Sequence, residues 1–289
     1  MSQRPYRSVL YIPGSKARAL EKAKTLRVDA IIFDLEDAVA ADEKENARAL
    51  LAETLSQGGY GARAQIVRVN GLDTQWGQAD LDAVATIAPQ AILLPKVGSA
   101  EDITRVATLL DAVPGAQNTE LWAMIETPQG ILNAADIAKA PRMAGMIMGT
   151  NDLAKDLGTR ARPDRAPLLT SLSFALLAAR AAGIVIVDGV YNAFKDEAGL
   201  AAECAQGRDL GFDGKTLIHP AQIEIANAAF APSEADIDLA ARQIAAFDAA
   251  VAQGQGVAVV DGRIVENLHV ETARATLAKA QAIAALEAA

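Results

Sequence analysis

A closed (β/α)8 barrel, an α/β fold of the TIM type, followed by a C-terminal helix-hairpin-helix extension is the architecture this sequence predicts. Three observations point to it: eight short apolar runs, an Ala/Leu-rich stretch of helical period after most of them, and the confinement of this alternation to roughly 220 of the 289 residues. Repeated βα units build a parallel sheet, and strands covered on both faces read as unbroken apolar runs. An open sheet would carry less uniformly apolar strands at its two edges.

In chain order the strands are expected at 8–12 (SVLYI), 29–35 (DAIIFDL), 65–69 (QIVRV), 91–94 (AILL), 121–125 (LWAMI), 145–148 (GMIM), 184–187 (IVIV) and 212–218 (FDGKTLI). After Pro232 the pattern changes. Ser233 is an N-cap signal for an amphipathic helix to about Gln253, GQGVAVVDGRIVEN reads as a hairpin turning on Asp261-Gly262, and a further Ala-rich helix follows. We therefore expect a barrel over 1–230 and an extension over 231–289 that acts as a lid or as an oligomer contact.

Composition narrows the function. With 51% hydrophobic and 22% charged residues the chain is an ordinary globular one. Lys plus Arg number 27 against 36 Asp plus Glu, and a net charge of −9 would repel a phosphate backbone, so no nucleic-acid partner is expected. A single cysteine, Cys204, rules out an intramolecular disulfide and a Cys-rich zinc site, and fits a cytoplasmic setting. The first apolar run is too short for a signal peptide or a membrane span. Only 2 His are present, so any metal would be held by carboxylates.

In a barrel the chemistry gathers at the C-terminal ends of the strands. After the first run, Pro13-Gly14-Ser15-Lys16 with Arg18 and Lys22 offers backbone N–H groups and cations suited to a phosphate, or is simply a structural turn. The second ends in Asp34-Leu35-Glu36-Asp37, carboxylates that either cap the next helix or require a cation. Arg68 lies among apolar residues in the third and needs an anionic partner, with Glu36 or Asp37 the candidates. Lys96 follows the fourth, Glu126 ends the fifth, and Gly149-Thr150-Asn151-Asp152 follows the sixth. Glu126 and Asp152 could converge on one hard divalent ion, or Asp152 could merely cap its helix. His219 reads as a structural histidine and Cys204 as inert.

Taken together, RSVLYIPGS, DAIIFDLEDAV, VRVNG, LLPKV, IETPQGI, GTNDLAKDLG and GFDGKTLIHPAQI resemble the citrate lyase β-subunit-like branch of the HpcH/HpaI aldolase family, across residues 7 to about 275. The resemblance implies a TIM barrel that cleaves or forms a carbon–carbon bond in 3-hydroxyacyl-CoA thioesters such as malyl-CoA or citramalyl-CoA, giving acetyl-CoA and glyoxylate or pyruvate. It implies Mg2+, or Mn2+, on Glu126 and Asp152, with Glu126 also touching substrate. Arg68 corresponds to the substrate-binding arginine that stabilises the enolate. Glu36 and Asp37 correspond to an acidic pair behind the metal and the arginine, and Pro13, Gly14, Ser15, Arg18 and Lys22 to the region that holds CoA phosphates.

Where malyl-CoA lyase-like members carry a catalytic Asp donated by a neighbouring subunit, DGRIVEN places Glu266, so the resemblance implies a homo-oligomer, a trimer or hexamer. Three other readings stand beside the lyase. A citrate lyase β subunit would act on an acyl-carrier-protein thioester. A metal-dependent aldolase would act on free 4-hydroxy-2-oxo acids, although such enzymes have Glu-His where this chain has Glu36-Asp37. A barrel without the base would be a non-catalytic acyl-CoA binding protein.

Overall fold

The computed structural model describes residues 4–288. Eight parallel strands close on themselves in sequence order: β1 (Ser8–Pro13), β2 (Ala30–Asp34), β3 (Ala64–Arg68), β4 (Ala91–Leu94), β5 (Glu120–Ile125), β6 (Met143–Met148), β7 (Val185–Asp188) and β8 (Gly214–Leu217), with β8 pairing back onto β1. Each predicted run lies on one of them. Tyr6–Phe230 form one compact unit and the chain from Ala231 forms a second.

Successive side chains of a strand face opposite sides, and this alternation divides the core in two. Leu10, Ile31, Phe33, Val67, Ile92 and Ala123 join the layer between sheet and helices, whereas Val9, Ala30, Ile32, Ala64, Ile66, Leu93, Trp122, Met124 and Ile147 fill the barrel. One further inward step along β2, β3 and β5 falls on Asp34, Arg68 and Glu126. The charged site is thus the next register layer above an apolar plug.

That plug is built around Trp122, which is fully buried and packs on Tyr6 with ring centroids 5.1 Å apart. It fits because the neighbouring strand presents Gly145, where a Cβ would stand 2.5 Å from the indole. Outside the barrel, β7 and β8 carry a charge cluster that apolar patterning gave no reason to expect. Lys215 is fully buried and its Nζ lies 2.6 Å from both Glu203 Oε1 and the Gly189 carbonyl. Arg165, itself at φ +51°, donates through Nη1 to both oxygens of the buried Asp188, at 2.8 and 2.7 Å. Mutual pairing of this kind is what allows four charges to be taken out of water.

The second unit follows the sequence reading closely. Ser233 and Asp236 form a capping box for the helix Glu234–Ala252. Strands β9 (Ala258–Val260) and β10 (Arg263–Val265) form an antiparallel hairpin whose two turn residues, Asp261 and Gly262, both have positive φ, as the tightest hairpin turn requires. The helix Asn267–Ala288 follows, and Ala250, Ala258, Val260, Val265 and Val270 are buried together. No helix among the described residues is long and apolar enough to cross a membrane.

Because Trp122 leaves no space above Gly145, Gly145→Ala is expected to destabilise the protein by about 1–3 kcal/mol, the usual range for overpacking. A fall in the urea midpoint at unchanged slope is the outcome that checks it.

Candidate active site

Asp34 and Arg68 are paired neighbours on adjacent strands, so their side chains meet laterally at the barrel mouth. Arg68 Nε donates to Asp34 Oδ1 at 2.7 Å and Nη2 to Oδ2 at 2.6 Å, a fork-to-fork pair with both partners buried. Arg68 Nη1 reaches Glu36 Oε2 at 2.7 Å, and Asp37 is a distant third at 3.5 Å and largely exposed. The guanidinium also lies 4.9 Å from the centre of the Tyr11 ring. Burial pushes the Tyr11 hydroxyl up against the opposing pull of Arg68.

The sequence reading named Glu36 or Asp37 as the partner of Arg68 and passed over Asp34, which is the principal one. Asp34 also shapes the following loop, since its Oδ1 accepts from the Glu36 N–H and its Oδ2 from the Ala38 N–H. Beneath that loop the buried Lys44 donates to the carbonyls of Leu35 and Glu36 and lies over the Trp76 ring. A lysine on a helix reads as solvated from sequence, so Lys44 was invisible there. Burial, opposed by Arg68 and aided by Asp37 and Glu126, pushes Glu36 up to about 7.

Glu126 is buried, and burial raises its carboxyl while an N–H bond from the Lys96 backbone to Oε1, at 2.7 Å, lowers it. Asp152 sits in the first turn of the helix Thr150–Asp156, and Oδ1 accepts from Lys96 Nζ at 2.9 Å. Lys96 thus touches both acids, through its backbone and its ammonium. Among the described residues no group of three or more His, Cys, Asp or Glu gathers to hold a metal. A divalent ion here would therefore rest on the two carboxylates, leaving its other positions to water and ligand, as Mg2+ prefers.

Two cavities open at this end. One of about 280 Å³ is lined by Tyr11, Asp34, Arg68, Glu126, Asp152 and Asn192 among others. The other, of about 400 Å³, is lined by Glu36, Asp73, Thr74, Lys96, Arg105 and their neighbours. Pro13, Gly14, Ser15, Arg18 and Lys22 line neither. The turn offers fewer free donors than its sequence suggested, because the Gly14 N–H is taken by the Asp34 carbonyl and the Lys16 N–H by that of Pro13. Arg18 and Lys22 are exposed on the helix Ala17–Ala23. Glu266 belongs to the second unit, is exposed, and its N–H donates to His269 Nδ1. His219 is structural as expected: its Nδ1 accepts from the Ala221 N–H and its ring stacks on Phe194.

Residues 7–220 match the HpcH/HpaI aldolase/citrate lyase family. The chain belongs to that family of enzymes. Over 284 residues, 98% of each chain, it is 67% identical to the (3S)-malyl-CoA thioesterase of Cereibacter sphaeroides. It is 38% identical to the citrate lyase β subunit of Escherichia coli, across 96% of this chain and 94% of that one. Among solved structures, CitE of Mycobacterium tuberculosis in complex with magnesium, acetoacetate and coenzyme A superposes with a TM-score of 0.80 at 29% identity, covering 97% of this chain and 100% of that one.

These relatives correct the activity expected from the motifs. Carbon–carbon cleavage was the expectation, but the 67%-identical relatives hydrolyse a thioester. The motifs common to the family lie at the barrel mouth and do not distinguish the two reactions. The expectation that Glu266 removes an acetyl methyl proton was tied to the lyase reading, and thioester hydrolysis contains no such step.

Asp34→Asn leaves a buried guanidinium with Glu36 and the distant, exposed Asp37 and is expected to destabilise the fold by about 3 kcal/mol. In a denaturant series the double variant Asp34→Asn/Arg68→Met, which removes the stranded charge as well, should recover part of that loss.

Proposed function

We propose that this chain hydrolyses the thioester of (3S)-malyl-CoA to malate and free CoA, with Mg2+, or Mn2+ in its place, held by Glu126 and Asp152. The 67% identity to a malyl-CoA thioesterase across 98% of both chains carries the reading. The donor set fits a divalent ion. Both carboxylates already share a cationic neighbour in Lys96, and Gly149 lets the Glu126 side chain lie against the backbone after β6, since a Cβ there would stand 2.3 Å from Glu126 Oε2. When bound, the ion would supply Lewis acidity and positive charge towards the anionic malyl group.

The chain's own groups account for the hydrolytic step. Glu36 Oε2 is held by Arg68 and the Asp37 N–H, which leaves Oε1 to take a proton from water as its oxygen attacks the thioester carbonyl carbon. A carboxyl pushed up to about 7 is suited to that task near neutral pH. Arg68, fixed by Asp34, faces the negative charge that gathers on the carbonyl oxygen. The C–S bond then breaks, the CoA thiolate leaves and is protonated, and malate remains. Asp37, largely exposed, adds negative charge beside Glu36 and takes no step itself.

Arg18 and Lys22, four residues apart and exposed after β1, are assigned to CoA phosphates on charge and position, which a rise in KM for Arg18→Glu would support. The exposed Val259, Ile264 and Leu268 of the extension support its use as a contact in a homo-oligomer, a trimer or hexamer. A monomer in sedimentation equilibrium would remove that part.

Incubated with malyl-CoA and Mg2+, the protein should release CoA thiol and malate in equal amounts, read by thiol titration and mass spectrometry. Acetyl-CoA with glyoxylate would overturn the proposal. Since the base must be ionised, activity should rise with pH through about 7, and Glu36→Gln should lose that limb together with about 10²–10⁴ in kcat at little change in KM.

A further inference from the structure

At the end of β4, Lys96 is held in the left-handed region without being a glycine, at φ +50°. Such a conformation persists where surrounding bonds over-determine it, and here the bond is the one from its N–H to Glu126 Oε1. Its ammonium lies 2.9 Å from Asp152 Oδ1, yet the side chain is 53% exposed. The other cation of the site has no such freedom, because Arg68 is fixed by Asp34 and Glu36 and nearly buried. Lys96 is therefore the mobile charge of this cluster, on a flexible four-carbon stem.

Its position between the cavities gives that mobility a use. Lys96 and Glu36 line the larger cavity, while their partners Asp152 and Arg68 line the smaller one. The contacts Lys96–Asp152 and Glu36–Arg68 thus form the partition between the two. A divalent cation on Asp152 and an ammonium 2.9 Å from the same carboxylate repel each other, and an ion bound at Oδ1 takes the place the ammonium holds.

We propose that Lys96 is a place-holding cation for the metal position. Resting on the metal assignment made above, it neutralises Asp152 before the ion arrives, is displaced when the ion binds, and then turns its ammonium into the larger cavity as a group that receives an anionic part of the ligand. Metal loading and opening of the partition are on this view one event. An acyl-CoA reaching the site without metal meets a closed partition, with the Lys96 ammonium still paired to Asp152.

Two readouts that do not depend on turnover test it in the full-length protein. In acetylation by a small amine-reactive ester, followed by peptide mass spectrometry, saturating Mg2+ should raise the modification rate of Lys96 several-fold and leave that of Lys22 and Lys139 unchanged. In calorimetric titration with MgCl2, Lys96→Met, which keeps the stem and the backbone N–H, should bind the ion about two- to fivefold more tightly, the range of a half-exposed ion pair. Lys96→Arg should stay near wild type. Equal protection of Lys96 with and without Mg2+, an unchanged or weaker affinity in Lys96→Met, or no Mg2+ binding by either protein would each overturn the proposal. The thioesterase reading fails separately, on its products.

Discussion

The geometry at the barrel mouth rests on one buried ion pair. Arg68 is held through two parallel hydrogen bonds by Asp34, and Glu36 takes its place from that fork. Asp34 fixes the loop that presents Glu36, and Arg68 fixes Glu36 itself. A guanidinium in an apolar barrel is tolerable only with such a partner. The same constraint makes it useful, since a cation unable to reorient stabilises developing negative charge without reorganisation.

The fold was legible because burial acts on the whole pattern. Strands covered on both faces must be apolar throughout, and eight such runs with helical intervals leave few alternatives to a closed barrel. The hairpin turn at Asp261-Gly262 was legible for a local reason, its demand for two residues that tolerate positive φ. The site was legible by register: Arg68, Glu126 and Asp152 stand where strands end and chemistry gathers. Lateral partners were not. Nothing in the order of residues says that Asp34 lies beside Arg68 until β2 and β3 are in register, and Lys44, Lys215 and Arg165 gave no signal because their burial is created by pairing with groups that only the fold brings beside them.

The bond that is broken was also beyond the motifs. The chain resembles both a malyl-CoA thioesterase and a citrate lyase β subunit over almost its whole length, so strings shared across the family do not tell the two reactions apart. What separates the two reactions is whether water or a carbon–carbon bond is set against the activated group. A motif gives residue types and not their surroundings: Glu36 lies within one of those strings, and the burial that raises its carboxyl towards neutrality is visible only in the fold.

The cluster of Lys215, Asp188, Arg165 and Glu203 bears on how the barrel assembles. Its members come from β8, β7, the segment before the helix Leu169–Ala182 and the helix Glu197–Leu210, and β8 is the strand that seals the ring onto β1. A barrel lacking its eighth strand would hold Asp188 and Glu203 against a single arginine, and Lys215 would have no partners at all. Half-closed intermediates are thereby penalised from both sides. Ring closure should then behave as one cooperative event, with no stable seven-stranded form for proteases or aggregation to act upon.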